Sequence, residues 1–238
     1  MKPEKIVRNP LTLCPVKNGP SAFTTILIDR TDNFGSISKA DVEVQLHDIL
    51  NETKENELVS LYVVKPVEKA PLQSLITICN PGNPDEADPW VESPYIVDKN
   101  WKSKFKAPLD ALLVQLLDEE KASLSPIMES IQSISVSALG GKRKSSLPRK
   151  IILISDLLQN SQTWSLYSQE PDFDAFSQAD QTRGLNPDLR GVTIEIFFLQ
   201  RETRRPVDEN QLLRFWVRWI GHYGGRVTRI LKVSGINK

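Results

Sequence analysis

The sequence predicts an α/β protein with a doubly wound, mostly parallel central sheet and one antiparallel edge strand. Two observations lead there. Apolar runs of strand length, such as Ile151–Ile154 and Val192–Leu199, alternate with segments of helical period, such as Lys39–Leu50 and Val207–Tyr223. One pair of runs, Leu58–Val64 and Leu72–Cys79, is joined only by residues 65–71. That connection is too short for a crossover helix, so these two strands are expected to pair antiparallel at a sheet edge.

The elements follow in order. Residues 1–21 carry Pro3, Pro10, Pro15 and Pro20, which break every apolar run, and are expected to form an extended N-terminal arm. Residues 22–238 then form a single domain. Phe23–Asp29 is the first strand, and Val42, Leu46, Ile49 and Leu50 give the following helix one buried face, with His47 on its polar side. After the edge pair comes an acidic, proline-rich loop ahead of Tyr95. Helical patterning from Tyr95 to Lys121 carries a Leu stripe, with an interruption expected near Pro108. Ser125 suits an N-cap and Pro126 a first helical position, leaving Ser125 as an exposed hydroxyl. Ile151–Ile154 ends on Ser155-Asp156, and a short helix is expected around Phe173–Gln181. Strand Val192–Leu199, a helix with Leu212, Phe215, Trp216, Trp219 and Ile220 inward, the stop Gly224-Gly225, and strand Arg226–Val233 complete the chain.

Composition limits the function classes. The 238 residues hold 30 basic and 30 acidic side chains, so no overall field recruits nucleic acid or a membrane surface. The balance is uneven, because residues 183–238 hold 11 Lys and Arg against 5 Asp and Glu. Cys14 and Cys79 are too few for a disulfide framework, and with His47 and His222 they make no zinc set, so two reduced cysteines are expected. The N-terminus lacks the apolar core of a signal peptide, and no segment reaches the roughly 20 apolar residues of a membrane span. A cytoplasmic location is the resulting expectation.

The stretch that organises the chain is Thr24–Ser38, where a strand stops on Asp29, a polar loop with Thr31, Asp32 and Asn33 follows, and Gly35 turns toward a helix start. Ligands collect at the carboxyl ends of parallel strands, and a loop with two carboxylates and a hydroxyl suits a hard cation. Asp156 ends a second buried strand in the same way. Each aspartate also has a plainer role available, capping the helix after its strand. Clustered without a cation, Asp29, Asp32 and Asp156 should raise one another's proton affinity.

Asp29-Arg30-Thr31-Asp32-Asn33, Ser125 and the run Ile151–Asp156, in this order of strands and helices, resemble the von Willebrand factor A-type domain over about residues 22–233. That resemblance implies a Rossmann-like fold and a metal-ion-dependent adhesion site. There Asp29 and Asp156 would hold Mg²⁺ or Mn²⁺ directly or through water, Thr31 and Ser125 would offer hydroxyls, and a coordination position would take an acidic group of a partner protein. The chain departs from the family's Asp-x-Ser-x-Ser pattern, since Asn33 replaces the second hydroxyl with an amide and Asp32 adds a carboxylate. It is also similar to bacterial members of this superfamily, several from mobile elements.

The resemblance implies a non-enzymatic interaction module. Two other readings come from the residues. Asp29, Thr31, Ser125 and Asp156 superficially resemble the haloacid dehalogenase phosphatases, which would make the chain a metal-dependent phosphoester hydrolase. Those enzymes need an acid/base Asp where this chain has Thr31. Arg201, Arg204, Arg205, Arg214, Arg218, Arg226 and Arg229 offer a nucleic-acid surface, without any recognised binding motif.

Overall fold

A computed structural model describes residues 6–30, 36–65, 72–83, 93–116, 123–141, 144, 146–200 and 207–233, with only the backbone described at 36–39 and 114. Among the described residues the β-branched and aromatic runs form six strands: β1 Ala22–Ile28, β2 Glu57–Val63, β3 Ile76–Cys79, β4 Arg149–Ser155, β5 Val192–Leu199 and β6 Arg226–Val233. They form one sheet in the order β3-β2-β1-β4-β5-β6. Only β2 and β3 pair antiparallel; the other neighbours are parallel. This is the expected doubly wound, Rossmann-like α/β arrangement, and β3 lies at the edge as the short 65–71 connection requires. It is shorter than the expected Leu72–Cys79 run.

Alternation along the strands divides the apolar side chains between two layers. Leu27, Ile151, Leu153, Ile194, Ile196 and Phe198 face one layer with the inward residues of α4 (Ile127–Ser137) and α6 (Glu209–His222). Ile26, Ile28, Ile152, Ile154, Phe197 and Leu199 face the other, against α1 (Ser36–Glu52) and α3 (Ala107–Leu116). Each fully buried Ile or Leu contributes about 1.5–3 kcal/mol, so helices on both faces hold the strand ends rigidly. A short α5, Phe173–Gln178, packs Phe173 and Phe176 into the first layer. The α6 helix stops as expected, where Gly224 takes φ +82° and a Cβ on Gly225 would meet Ile220 Cγ2 at 2.9 Å.

The helical path through Pro108 is not interrupted. The α2 helix, Pro94–Asn100, runs into a π-helical segment, Trp101–Lys106, and then α3. The Ala107 amide bonds the Lys102 carbonyl, one residue wider than the α-helical step. A widened turn directly before a proline accommodates a ring that has no N–H to donate.

The cysteines overturn their reading. Cys14 and Cys79 form a disulfide, with Cα atoms 4.9 Å apart. Sixty-five residues separate them, and only the placement of the arm against β3 brings them together. The arm is also not simply extended, because Val16 donates to the Val7 carbonyl and Leu13 to the Asn9 carbonyl, closing a compact turn. A disulfide is characteristic of oxidising compartments, so the cytoplasmic expectation loses one of its supports. Among the described residues no helix is long and apolar enough to cross a membrane.

Candidate metal centre

β1 and β4 are neighbours in parallel register, with Ile28 opposite Ile154 and the Asp29 amide donating to the Ile154 carbonyl at 2.9 Å. Both strand-end aspartates therefore emerge at the same carboxyl edge of the sheet. Asp29 is 0 % exposed and Asp156 5 %.

Ser125 joins them from a third segment. Its backbone exchanges two hydrogen bonds with Asn160, at 2.8 and 2.9 Å, which draws the loop before α4 against the chain leaving β4. The Ser125 hydroxyl donates to Asp29 Oδ2 at 3.0 Å, and the Ser155 hydroxyl donates to the same oxygen at 2.8 Å. Ser125 is thus neither exposed nor the N-cap of α4. The cap position is Pro126, and the Met128 amide is taken by Gln159 Oε1 at 2.9 Å, while Gln159 Nε2 donates to Glu129 at 2.9 Å. A distant glutamine does the capping, leaving the serine hydroxyl to Asp29.

The turn after β4 is built by side-chain oxygens. Ser155 Oγ accepts from the Leu157 amide at 2.8 Å and Asp156 Oδ1 from the Leu158 amide at 3.0 Å. Asp156 therefore shapes a turn; the next helix begins only at Phe173. Leu157 between them adopts φ +64°, a left-handed conformation that costs a branched residue about 1–3 kcal/mol. Trp216, fully buried on α6, donates its indole N–H to the Leu157 carbonyl at 2.9 Å and holds the turn in place.

Burial first, and then the charge of Asp29, push the Asp156 carboxyl up to about 7 against the opposing Leu158 amide. The direction at Asp156 is the one expected of the cluster, and Asp32 lies outside the described residues. Tyr167 feels the same charges: burial, then Asp156, then Asp29 push its phenol up to about 12. Ser155, Gln159 and Tyr167 belong to the site and carry no signal in strand or helix period that would have selected them. Thr31, Asp32 and Asn33 lie outside the described residues.

Whether these residues suit a cation rests on their donor chemistry. Among the described residues no group of three or more His, Cys, Asp and Glu gathers to hold a metal ion, so a cation here would draw on hydroxyl or further oxygen donors besides Asp29 and Asp156. Two buried carboxylates with two serine hydroxyls are all-oxygen donors, and burial beside Asp29 raises the Asp156 carboxyl. That set fits a hard divalent ion.

Two of the basic residues, Arg218 and Arg229, lie on opposite faces of the sheet. Arg218 of α6 donates to Asp174 of α5 at 2.6 and 3.1 Å, and Arg229 lies 5.7 Å over the ring of Phe197, a residue of the opposite layer. Arg201, Arg204 and Arg205 lie outside the described residues.

No family model matches the chain, and no curated protein matches it. Among solved structures it is similar to the conserved hypothetical protein BatB from Bacteroides thetaiotaomicron, at 10% identity and a TM-score of 0.41, over 89% of this chain and 91% of that one. It is also similar to an aerotolerance-related membrane protein from Bacteroides fragilis NCTC 9343, at 12% identity and a TM-score of 0.38, over 90% and 92% of the two chains.

Proposed function

We propose that the chain is a non-enzymatic protein–protein interaction module of the von Willebrand factor A type. In this reading Asp29, Ser125 and Asp156, with Thr31, Asp32 and Asn33 of the adjoining loop, hold Mg²⁺ or Mn²⁺ and present it to an acidic group of a partner. The observation that carries it is the convergence of Ser125 and Ser155 on one oxygen of Asp29, beside the buried Asp156. The ion, when bound, would supply a positive charge beside the two carboxylates. The chain's own residues do the rest: Ser125 and Ser155 fix the orientation of Asp29, Trp216 fixes the turn carrying Asp156, and burial excludes competing water.

The phosphoester reading is weaker, because a phosphatase of that kind needs a second acid/base carboxylate and the residue two after Asp29 is Thr31. Calorimetric titration with Mg²⁺ and with Mn²⁺ tests the proposal. Binding that Asp156→Ala abolishes supports it, and absence of binding to the unsubstituted protein sinks it. In the same metals the protein is expected to leave phosphomonoesters and nucleotides intact. Hydrolysis that Asp29→Asn abolishes would establish an enzyme instead.

A further inference from the structure

The arm is fastened to β3 by one covalent bond and a ring of polar contacts. Cys14 is bonded to Cys79, the last residue of β3. In an antiparallel edge strand alternate amides face away from the neighbour, and the outward amide of Cys79 donates to the Thr12 carbonyl at 2.7 Å. Arg8 closes the other side, its guanidinium donating to Glu55 Oε1 at 2.6 Å, Asn56 Oδ1 at 2.7 Å, the Pro81 carbonyl at 2.9 Å and the Leu13 carbonyl at 3.1 Å. Apolar burial is centred on Cys14, Cys79 and the half-buried Leu13, since Val7, Leu11 and Val16 are 71%, 86% and 65% exposed. The arm thus covers a sheet edge with contacts that are mostly polar, and ion pairs of partly exposed groups are individually weak.

We propose that the Cys14–Cys79 bond is the latch of a redox-controlled strap. Oxidised, it holds residues 6–20 over the edge of β3; reduced, it lets the arm leave, and the Cys79 amide loses its acceptor. The reductant is a dithiol. One of its thiolates attacks a sulfur of the pair to form a mixed disulfide, and its second thiol displaces the protein. Cys14 and Cys79 each gain an electron and a proton, and the dithiol leaves as its own disulfide. Of the arm's apolar side chains Leu13 packs against the second layer, and the latch itself touches the sheet at Cys79 on its outermost strand, so release does not require the sheet to open.

The test uses the full chain with and without dithiothreitol, thiol alkylation to count the freed cysteines, and amide hydrogen exchange. The expected result is two free thiols and at least about tenfold faster exchange at Cys79, Leu13 and Val16, with β1 and β4 amides unchanged. A Cys14→Ser/Cys79→Ser variant should show the fast pattern without reductant and not respond to it. Three results would overturn the proposal: thiols that stay bonded in the native protein, unchanged exchange at Cys79 after confirmed reduction, or release of β1 and β4 together with the arm. The last would make the bond a staple of the whole fold.

Discussion

The ends of β1 and β4 look alike in sequence, each an apolar run stopping on an aspartate, yet the fold treats the two carboxylates differently. Asp29 receives two serine hydroxyls on a single oxygen. Asp156 receives the amide of its own turn and sits in the field of Asp29, which together with burial raises it to about 7. The contrast shows that a strand-end carboxylate acquires its character from donors brought by other segments. In the proposed site Asp29 would be the oriented carboxylate and Asp156 the one whose charge would depend on what binds.

The sharpest way to break this contrast is to remove the anchor. Asp29→Ala leaves the hydroxyls of Ser125 and Ser155 buried without their acceptor, which costs about 1–3 kcal/mol each. Relief of the repulsion on Asp156 returns part of that, so a net loss of about 2–4 kcal/mol is expected in the urea midpoint at pH 7. Asp156→Asn should do the opposite in metal-free buffer at pH 8, raising the midpoint, because it removes a buried charge. Equal destabilisation by both substitutions would show that the two aspartates are equivalent after all.

Titration separates them next. Asp156 has a folded pKa above its unfolded value, so between about 4 and about 7 the folded state holds more protons than the unfolded one. Stability of the metal-free protein should therefore fall as pH rises through that window and level off above about 7. Thermal melts from pH 4.5 to 8 measure the slope, and Asp156→Asn should flatten it.

A smaller effect is expected from metal. At an ion concentration 100 times the dissociation constant, mass action adds about 2.7 kcal/mol. That corresponds to a rise of roughly 2–4 °C in melting temperature for a chain of this size. The rise should be larger at pH 8 than at pH 6, where Asp156 holds a proton, and absent in Asp156→Ala. A melting curve that millimolar Mg²⁺ and Mn²⁺ leave unmoved would reduce the domain to a metal-free scaffold. The smallest effect concerns the turn itself: Trp216→Phe keeps the ring in the core but removes the donor to Leu157, for about 1 kcal/mol. Its signature would be a weakened metal response with little loss of fold.

Much of the frame was legible in the sequence. Val192–Leu199 and Arg226–Val233 are strands over the expected residues, and the inward face of α6 is the expected one. Pro108 misled because its effect depends on the local ladder, which widens to a π segment instead of breaking. Ser125 misled because a serine before a proline-led helix has two uses for its hydroxyl. Local pattern favours the cap, and only the arrival of Gln159 at Met128 frees the serine for Asp29.

Periodicity is a property of neighbouring residues, and it was enough to locate the strands and the main helices, while the short 65–71 link indicated the antiparallel edge pair; the length of β3 and the path through Pro108 lay beyond it. The sequence also placed Asp29 and Asp156 at strand ends. Their meeting was decided by tertiary structure, because it depends on β4 docking beside β1 in register. The same holds for Ser125 and Ser155, which reach Asp29 across 96 and 126 residues, and for the disulfide across 65. Contacts at such separations follow from the order of strands in the sheet and the layers packed on it, and no local period encodes that order.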